Sequence, residues 1–106
     1  MDGLIIKKKW LDLIISGKKT LEIRGSDTKH QGERIYLLES GSHKVRGTFI
    51  IDSTFPLSCS DWGEETDKYK NPHAWVLKDV KPLDKEMYYK HPKGAVIWVK
   101  NVDDLL

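Results

Sequence analysis

The feature that most constrains the fold is a series of short segments in which hydrophobic and polar residues alternate. A period of two is typical of β-strands that bury one face. The segments recur about every ten residues and predict six strands, at residues 4–9, 20–24, 34–39, 44–52, 74–80 and 95–100. Gly47 lies within the fourth segment, where a glycine is typical of a bend or of close backbone approach.

Helical periodicity is confined to two places. Residues 10–16 repeat apolar side chains four positions apart, which predicts a helix of about two turns that ends before Gly17. A second short helix is predicted within residues 58–70, beginning at Ser58 or Ser60, because acidic residues follow where a helix N-terminus favours them. Residues 82–91 are predicted to be a connection without regular structure.

Closely spaced strands with few helices argue against a doubly wound parallel sheet, because each parallel crossover usually contains a helix. We therefore predict an α+β fold that is mainly β. Its core is a small barrel of about six short strands, partly antiparallel and flanked by two or three short helices. The 106 residues suit a single domain spanning residues 1–106, and we expect a monomer.

Several protein classes are disfavoured by the same sequence. The longest apolar run, residues 95–99, is far shorter than the roughly 20 residues of a membrane span. Charge follows the first apolar residues instead of preceding them, which is not the order of a secretion signal. Cys59 is the single cysteine, and the four histidines are scattered. We therefore expect a cytoplasmic protein with no membrane partner, metal site or cofactor.

Charge is distributed unevenly, although the net charge of +2 does not by itself indicate a polyanionic partner. Residues 7–24 contain six basic side chains and two carboxylates, and Lys9 is among the predicted nucleic-acid contacts. Residues 61–67 contain four acidic side chains. The basic segment is either a solvated surface or an anion-binding patch. The acidic segment leaves open a domain that binds other proteins.

The segment at residues 20–24 combines groups suited to nucleic acid. Alternation places Thr20, Glu22 and Arg24 on one strand face, and Lys19 enters from the preceding turn. Guanidinium and ammonium groups suit phosphate, and a carboxylate can accept a hydrogen bond from a base amino group such as that of cytosine. This row predicts a site for phosphate or a base edge. The alternative is an exposed strand face with a weak surface salt bridge.

Four tryptophans provide surfaces on which a nucleobase can stack. Trp75 and Trp98 lie in alternating apolar segments and are predicted to be core residues. Trp10 and Trp62 each follow a charged residue, so they are the predicted stacking groups. His73 precedes a predicted strand and is a candidate hydrogen-bonding partner of the ligand, although most such histidines are structural.

The sequence gives less support to catalysis. It contains no glycine-rich phosphate loop, nucleophile elbow or zinc-protease helix motif. Cys59 lies between two serines without a basic neighbour, so we expect an unreactive thiol. If the protein is an enzyme, the predicted catalytic residues are Lys19, as base or nucleophile, and Glu22, as acid or base.

Residues 17–24, with the sequence Gly-Lys-Lys-Thr-Leu-Glu-Ile-Arg, follow a strand, a tryptophan and one short helix. This arrangement resembles the signature of ASCH domains, the activating signal cointegrator homology group of the PUA-like superfamily. Residues 32–35, 45–47, 73–77 and 94–99 resemble the family's later strands. The resemblance covers nearly the whole chain.

The resemblance implies a small β-barrel whose cleft, lined by Lys19, Thr20, Glu22 and Arg24, accepts RNA or a nucleobase. Some relatives are amidohydrolases that act on acetylated cytidine, and others are ribonucleases. This chain has Glu22 where the amidohydrolases carry a second threonine. The glutamates at residues 64–65 are candidates for the further acid of that branch.

Two main hypotheses follow from the sequence. The first is a module that binds RNA, another single-stranded nucleic acid or a nucleoside through its basic and polar cleft. The alternative is a small hydrolase that acts on a modified nucleoside of the acetylated cytidine type, or a ribonuclease. Each hypothesis uses the strand at residues 20–24, because no other segment combines so many suitable groups.

Overall fold

A computed structural model of the chain describes residues 1–58 and 63–106. The strands are β1 (Gly3–Ile6), β2 (Leu21–Arg24), β3 (Arg34–Glu39), β4 (Lys44–Pro56), β5 (His73–Tyr88) and β6 (Trp98–Val99). The helices are α1 (Lys8–Ile15), α2 (Glu64–Asp67) and a 3-10 helix at Val102–Leu105. The predicted α+β class, mainly β with six strands, is confirmed.

The six strands form one sheet in the order β2-β5-β4-β3-β1-β6. β1 runs parallel to β3, and the other neighbours are antiparallel. The side chain of Arg24 on β2 reaches β1, which lies near the other end of this strand order. Its Nη2 atom donates a hydrogen bond to the carbonyl of Ile5 at 3.0 Å. The sheet is therefore curled. The architecture is an open barrel, because no backbone ladder among the described residues joins the two edge strands, β2 and β6.

Alternate hydrophobic side chains of the strands point into the curled sheet and form its core. Phe49 of β4 is fully buried, and Leu11 and Ile14 of α1 pack against the same core. Trp75 is buried, as predicted, and its indole donates to the carbonyl of Ser26 at 2.9 Å. Trp98 is partly buried and stacks on Trp75 with ring centroids 5.9 Å apart. The two tryptophans therefore serve the core.

The prediction of a connection at residues 82–91 is wrong for most of its length, because β5 continues to Tyr88. The side chains in this half of β5 are mostly exposed, and its apolar and charged residues do not alternate as in a strand that buries one face. Pairing with β4 makes the segment a strand. At Gly47, an added Cβ would lie 2.4 Å from the carbonyl oxygen of Lys81, which confirms the predicted close approach.

Other boundaries also differ from the predictions, and β4 continues to Pro56 instead of ending at Asp52. β1 ends at Ile6, because helix α1 already begins at Lys8, and the last strand has only two residues. The helix predicted within residues 58–70 is the four-residue α2, and Ser58 is not helical. Ser60 and the predictions for Cys59 and Trp62 lie outside the described residues.

Candidate functional site

A cleft of about 320 Å³ opens where the two ends of the curled sheet approach each other. We call it the base cleft, after the nucleobase that the sequence analysis predicts as its ligand. Strands β1 and β2, helix α1, and the segments beside α2 and β6 contribute its walls. Its lining residues are Ile5, Ile6, Lys7, Trp10, Glu22, Ile23, Arg24, Ser40, Glu65, Lys68, Tyr69, Val96 and Ile97. Three of the residues predicted for the site, Trp10, Glu22 and Arg24, meet here.

The pairing of β2 with β5 determines where Glu22 and Arg24 point. Glu22 lies opposite Trp75 in the antiparallel ladder, and directly opposite residues share one face of a sheet. Since Trp75 belongs to the core, the polar row enters the curled sheet, and Glu22 is only 4% exposed. The alternative of an exposed strand face with a surface salt bridge is therefore wrong for Glu22.

Glu22 and Arg24 form a partly buried ion pair. Arg24 donates to Oε2 of Glu22 from Nη2 at 2.9 Å and from Nε at 3.3 Å. Its guanidinium also lies 6.0 Å from the centroid of the Trp75 ring. No donor among the described residues reaches Oε1 of Glu22. The cleft thus presents a carboxylate oxygen that can accept a hydrogen bond, beside a cation.

A second ion pair forms part of the same wall. The Nζ atom of Lys19 lies 2.6 Å from Oε1 of Glu65, and the two side chains are 10% and 15% exposed. Helix α2 supplies Glu65, and Thr66 within it donates to the carbonyl of Gly63. Glu65, one of the two candidate glutamates, therefore contacts Lys19, and the side chain of Glu64 lies outside the described part of the structure.

Trp10 lies on α1 between these groups and is partly exposed. The Nζ atoms of Lys9 and Lys19 lie 4.3 and 5.0 Å from its ring centroid, within the range of cation–π attraction. Lys9 itself is exposed and lines neither cleft. The indole is therefore an aromatic surface in a cationic environment.

A second cleft of about 300 Å³ shares Trp10 with the base cleft. We call it the lysine cleft. Its lining residues are Trp10, Leu13, Lys18, Lys19, Thr20, Leu21 and Glu65. Trp10 and Glu65 belong to both clefts, so the Lys19–Glu65 pair lies at their boundary. Thr20, predicted for the same site as Glu22, lies in this second cleft instead.

His73 lies outside both clefts, although it is opposite Arg24 in the ladder. Its Nδ1 atom is 2.9 Å from the carbonyl oxygen of Asn71, so its hydrogen bond is local. The structure therefore gives His73 no contact with the base cleft.

The sequence interpretation missed several residues that line the base cleft. Tyr69 packs beside Gly25, where an added Cβ would lie 2.8 Å from the tyrosine ring. Val96 and Ile97 form an exposed apolar lip at 76% and 47% exposure. The lysines on both sides of Tyr69 were a usable signal, because an aromatic residue among basic ones is typical of nucleic-acid surfaces. Nothing in the local sequence identifies the apolar lip.

Two broader findings concern the described part of the chain alone. No helix within it is long and apolar enough to cross a membrane. Nor does it contain a group of three or more histidine, cysteine, aspartate or glutamate side chains arranged to hold a metal ion.

Comparisons with known proteins agree with this architecture. The solved structure of ASCH from Zymomonas mobilis is similar with a TM-score of 0.66 and 19% identity, covering 82% of this chain and 72% of that one. A single-substitution variant of that protein matches with a TM-score of 0.70 and 16% identity, over 97% and 90% of the two chains. No curated protein matches the sequence. The profile of the ASCH domain matches residues 4–89, and the chain therefore belongs to the ASCH domain family.

Proposed function

We propose that this ASCH domain is a cytoplasmic module that binds an amino-bearing nucleobase, within single-stranded RNA or as a nucleoside, in the base cleft. The observation that carries the proposal is the partly buried Glu22–Arg24 pair that lines this cleft. Oε1 of Glu22 accepts no hydrogen bond from any described residue. The single cysteine is consistent with a reducing compartment.

The chemistry of the cleft favours particular bases. An ionised carboxylate only accepts hydrogen bonds, so Glu22 favours cytosine, whose exocyclic amine donates, over uracil, which has a carbonyl there. Trp10 and Tyr69 provide aromatic surfaces in the cleft wall, and base stacking on such rings contributes about 1–3 kcal/mol per base. Lys7 and Lys68 line the same cleft and attract the phosphate backbone.

The test compares short oligocytidine with oligouridine by quenching of tryptophan fluorescence at two salt concentrations. We expect oligocytidine to bind about tenfold more tightly, at the lower part of the roughly 1–3 kcal/mol range for a specific base contact. Glu22→Gln should reduce this preference to about threefold or less, because an amide both donates and accepts. Glu33→Gln, which changes an exposed carboxylate outside the clefts, is the matched control.

The proposal fails if cytosine is not preferred over uracil, or if Glu22→Gln retains the full preference. Circular dichroism of both variants shows whether each is folded. A fall in affinity with salt that is equal for both oligonucleotides would indicate backbone attraction without base recognition.

The Lys19–Glu65 pair supports a second candidate, hydrolysis of an acylated nucleoside amine such as that of acetylated cytidine. In this reaction water adds to the acyl carbon, the carbon–nitrogen bond breaks, and the products are a carboxylic acid and the free amine. Glu65 would accept a proton from water while the ammonium of Lys19 stabilises the developing oxyanion. Glu22, held by Arg24, accepts from the base and orients it.

Mass spectrometry after incubation with acetylated cytidine and with short RNA tests this activity. Lys19→Gln should lower turnover at least about 100-fold, the lower bound typical of acid–base groups. Lys85→Gln, which removes one positive charge from an exposed position outside both clefts, is the control. Equal turnover by wild type and Lys19→Gln would exclude the hydrolase for these substrates.

A further inference from the structure

The lysine cleft contains polar side chains that have no role in the proposed recognition of a nucleobase. Lys18 is exposed and has no ion-pair partner among the described residues, whereas Lys19 is paired with Glu65. The hydroxyl-bearing Thr20 lines the same cleft. An ammonium and a hydroxyl are both common ligands of phosphate oxygens.

Consecutive residues of the chain, 20–24, line one cleft and then the other. Glu22, Ile23 and Arg24 line the base cleft, whereas Thr20 and Leu21 line the lysine cleft. At about 3.3 Å per residue, Thr20 and Glu22 are about 7 Å apart along the chain, a span that one nucleotide bridges.

The electrostatics of this surface favour an anion that extends over both clefts. Among the residues that the structure describes, five basic side chains line the two clefts together, against two carboxylates. The basic residues are Lys7, Lys18, Lys19, Arg24 and Lys68. Both carboxylates, Glu22 and Glu65, are already paired with one of these cations. The remaining basic residues are divided between the two clefts and suit the backbone of a nucleotide chain.

We propose that the lysine cleft binds the phosphate next to the nucleobase held in the base cleft. This inference rests on the proposed function. Lys18 and Thr20 contact the phosphate oxygens, and Trp10, shared by both clefts, lies between phosphate and base. The preferred ligand is therefore an oligonucleotide of at least two residues instead of a free nucleoside.

Isothermal titration calorimetry with cytidine and with the dinucleoside monophosphate CpC tests the inference. We expect CpC to bind about tenfold more tightly, as one charge-assisted contact provides. Lys18→Gln should remove most of this gain while leaving cytidine affinity within about twofold of wild type. It should also reduce the salt slope for CpC by about 0.7, the value for one phosphate contact of a single strand.

Lys85→Gln is the matched control, because Lys85 is exposed on the half of β5 beyond its pairing with β2. If cytidine binds but CpC binds no more tightly, the inference is wrong and the base site stands. Equal effects of Lys18→Gln and Lys85→Gln on CpC would also overturn it. If neither ligand binds, the proposed function fails together with the inference.

Discussion

Arg24 provides the sharpest test of how the site is built, because it joins strands that no backbone ladder connects. Its guanidinium bonds to Glu22 on β2 and to the carbonyl of Ile5 on β1. Arg24→Met keeps an unbranched apolar stem and removes both contacts. The variant leaves a buried carboxylate without its cation.

The expected loss of stability follows from these contacts. Removing one partner of a buried ion pair costs about 3–5 kcal/mol, and an orphaned carbonyl adds about 1–3 kcal/mol. Since the Arg24 side chain is 17% exposed and the cleft admits water, we expect the lower end, about 3 kcal/mol. At about 4–8 °C per kcal/mol for a domain of this size, Tm falls by about 12–24 °C.

Urea unfolding followed by tryptophan fluorescence measures this loss. The double variant Glu22→Gln with Arg24→Met should recover more than half of it, because no buried charge remains. Arg34→Met is the control, since the Arg34–Asp79 pair is more exposed and should contribute at most about 1 kcal/mol. A loss below about 1 kcal/mol for Arg24→Met, or a double variant no more stable than the single, would refute the buried-pair reasoning.

Three further predictions concern the rest of the fold. The hydrogen bond from the hydroxyl of Ser42 lowers the pKa of Glu39, so Glu39 stabilises the fold above pH 4.5, and this contribution is lost as pH falls through the lowered pKa. E39Q should therefore reduce the dependence of the free energy of unfolding on pH in the acid range. The hydrogen bond with Asp103 raises the pKa of Tyr36 to about 12, so its contribution is complete below pH 10 and is lost between pH 10 and 12; Tyr36→Phe should remove this dependence in urea unfolding. Gly47→Ala should lower stability by about 1–3 kcal/mol in the same assay, because its Cβ meets the backbone of β5.

Each of these predictions has a result that contradicts it. Unchanged acid unfolding in E39Q would show that the carboxylate is not better stabilised in the folded state. A phenolate absorbance titration of all tyrosines near pH 10 would contradict the raised pKa of Tyr36. A fully stable Gly47→Ala variant would mean that β4 and β5 can separate without loss.

Local sequence determined the β-rich class and the positions of most strands, because alternation and helical spacing act over a few neighbouring residues. It also predicted that residues 20–24 and Trp10 contribute to one site, and Trp10, Glu22 and Arg24 line one cleft in the structure. It missed the second half of β5, whose mostly exposed residues show no hydrophobic alternation and form a strand because their backbone pairs with β4.

Tertiary structure alone decided which way the polar row faces and what it meets. An alternating strand has two faces, and only pairing with β5 placed Glu22 beside Trp75, inside the curled sheet. The Lys19–Glu65 contact joins residues 46 positions apart, and the Arg24–Ile5 contact crosses the open side of the barrel. Such contacts depend on how the sheet curls, which is a property of all six strands together, so no single segment encodes them.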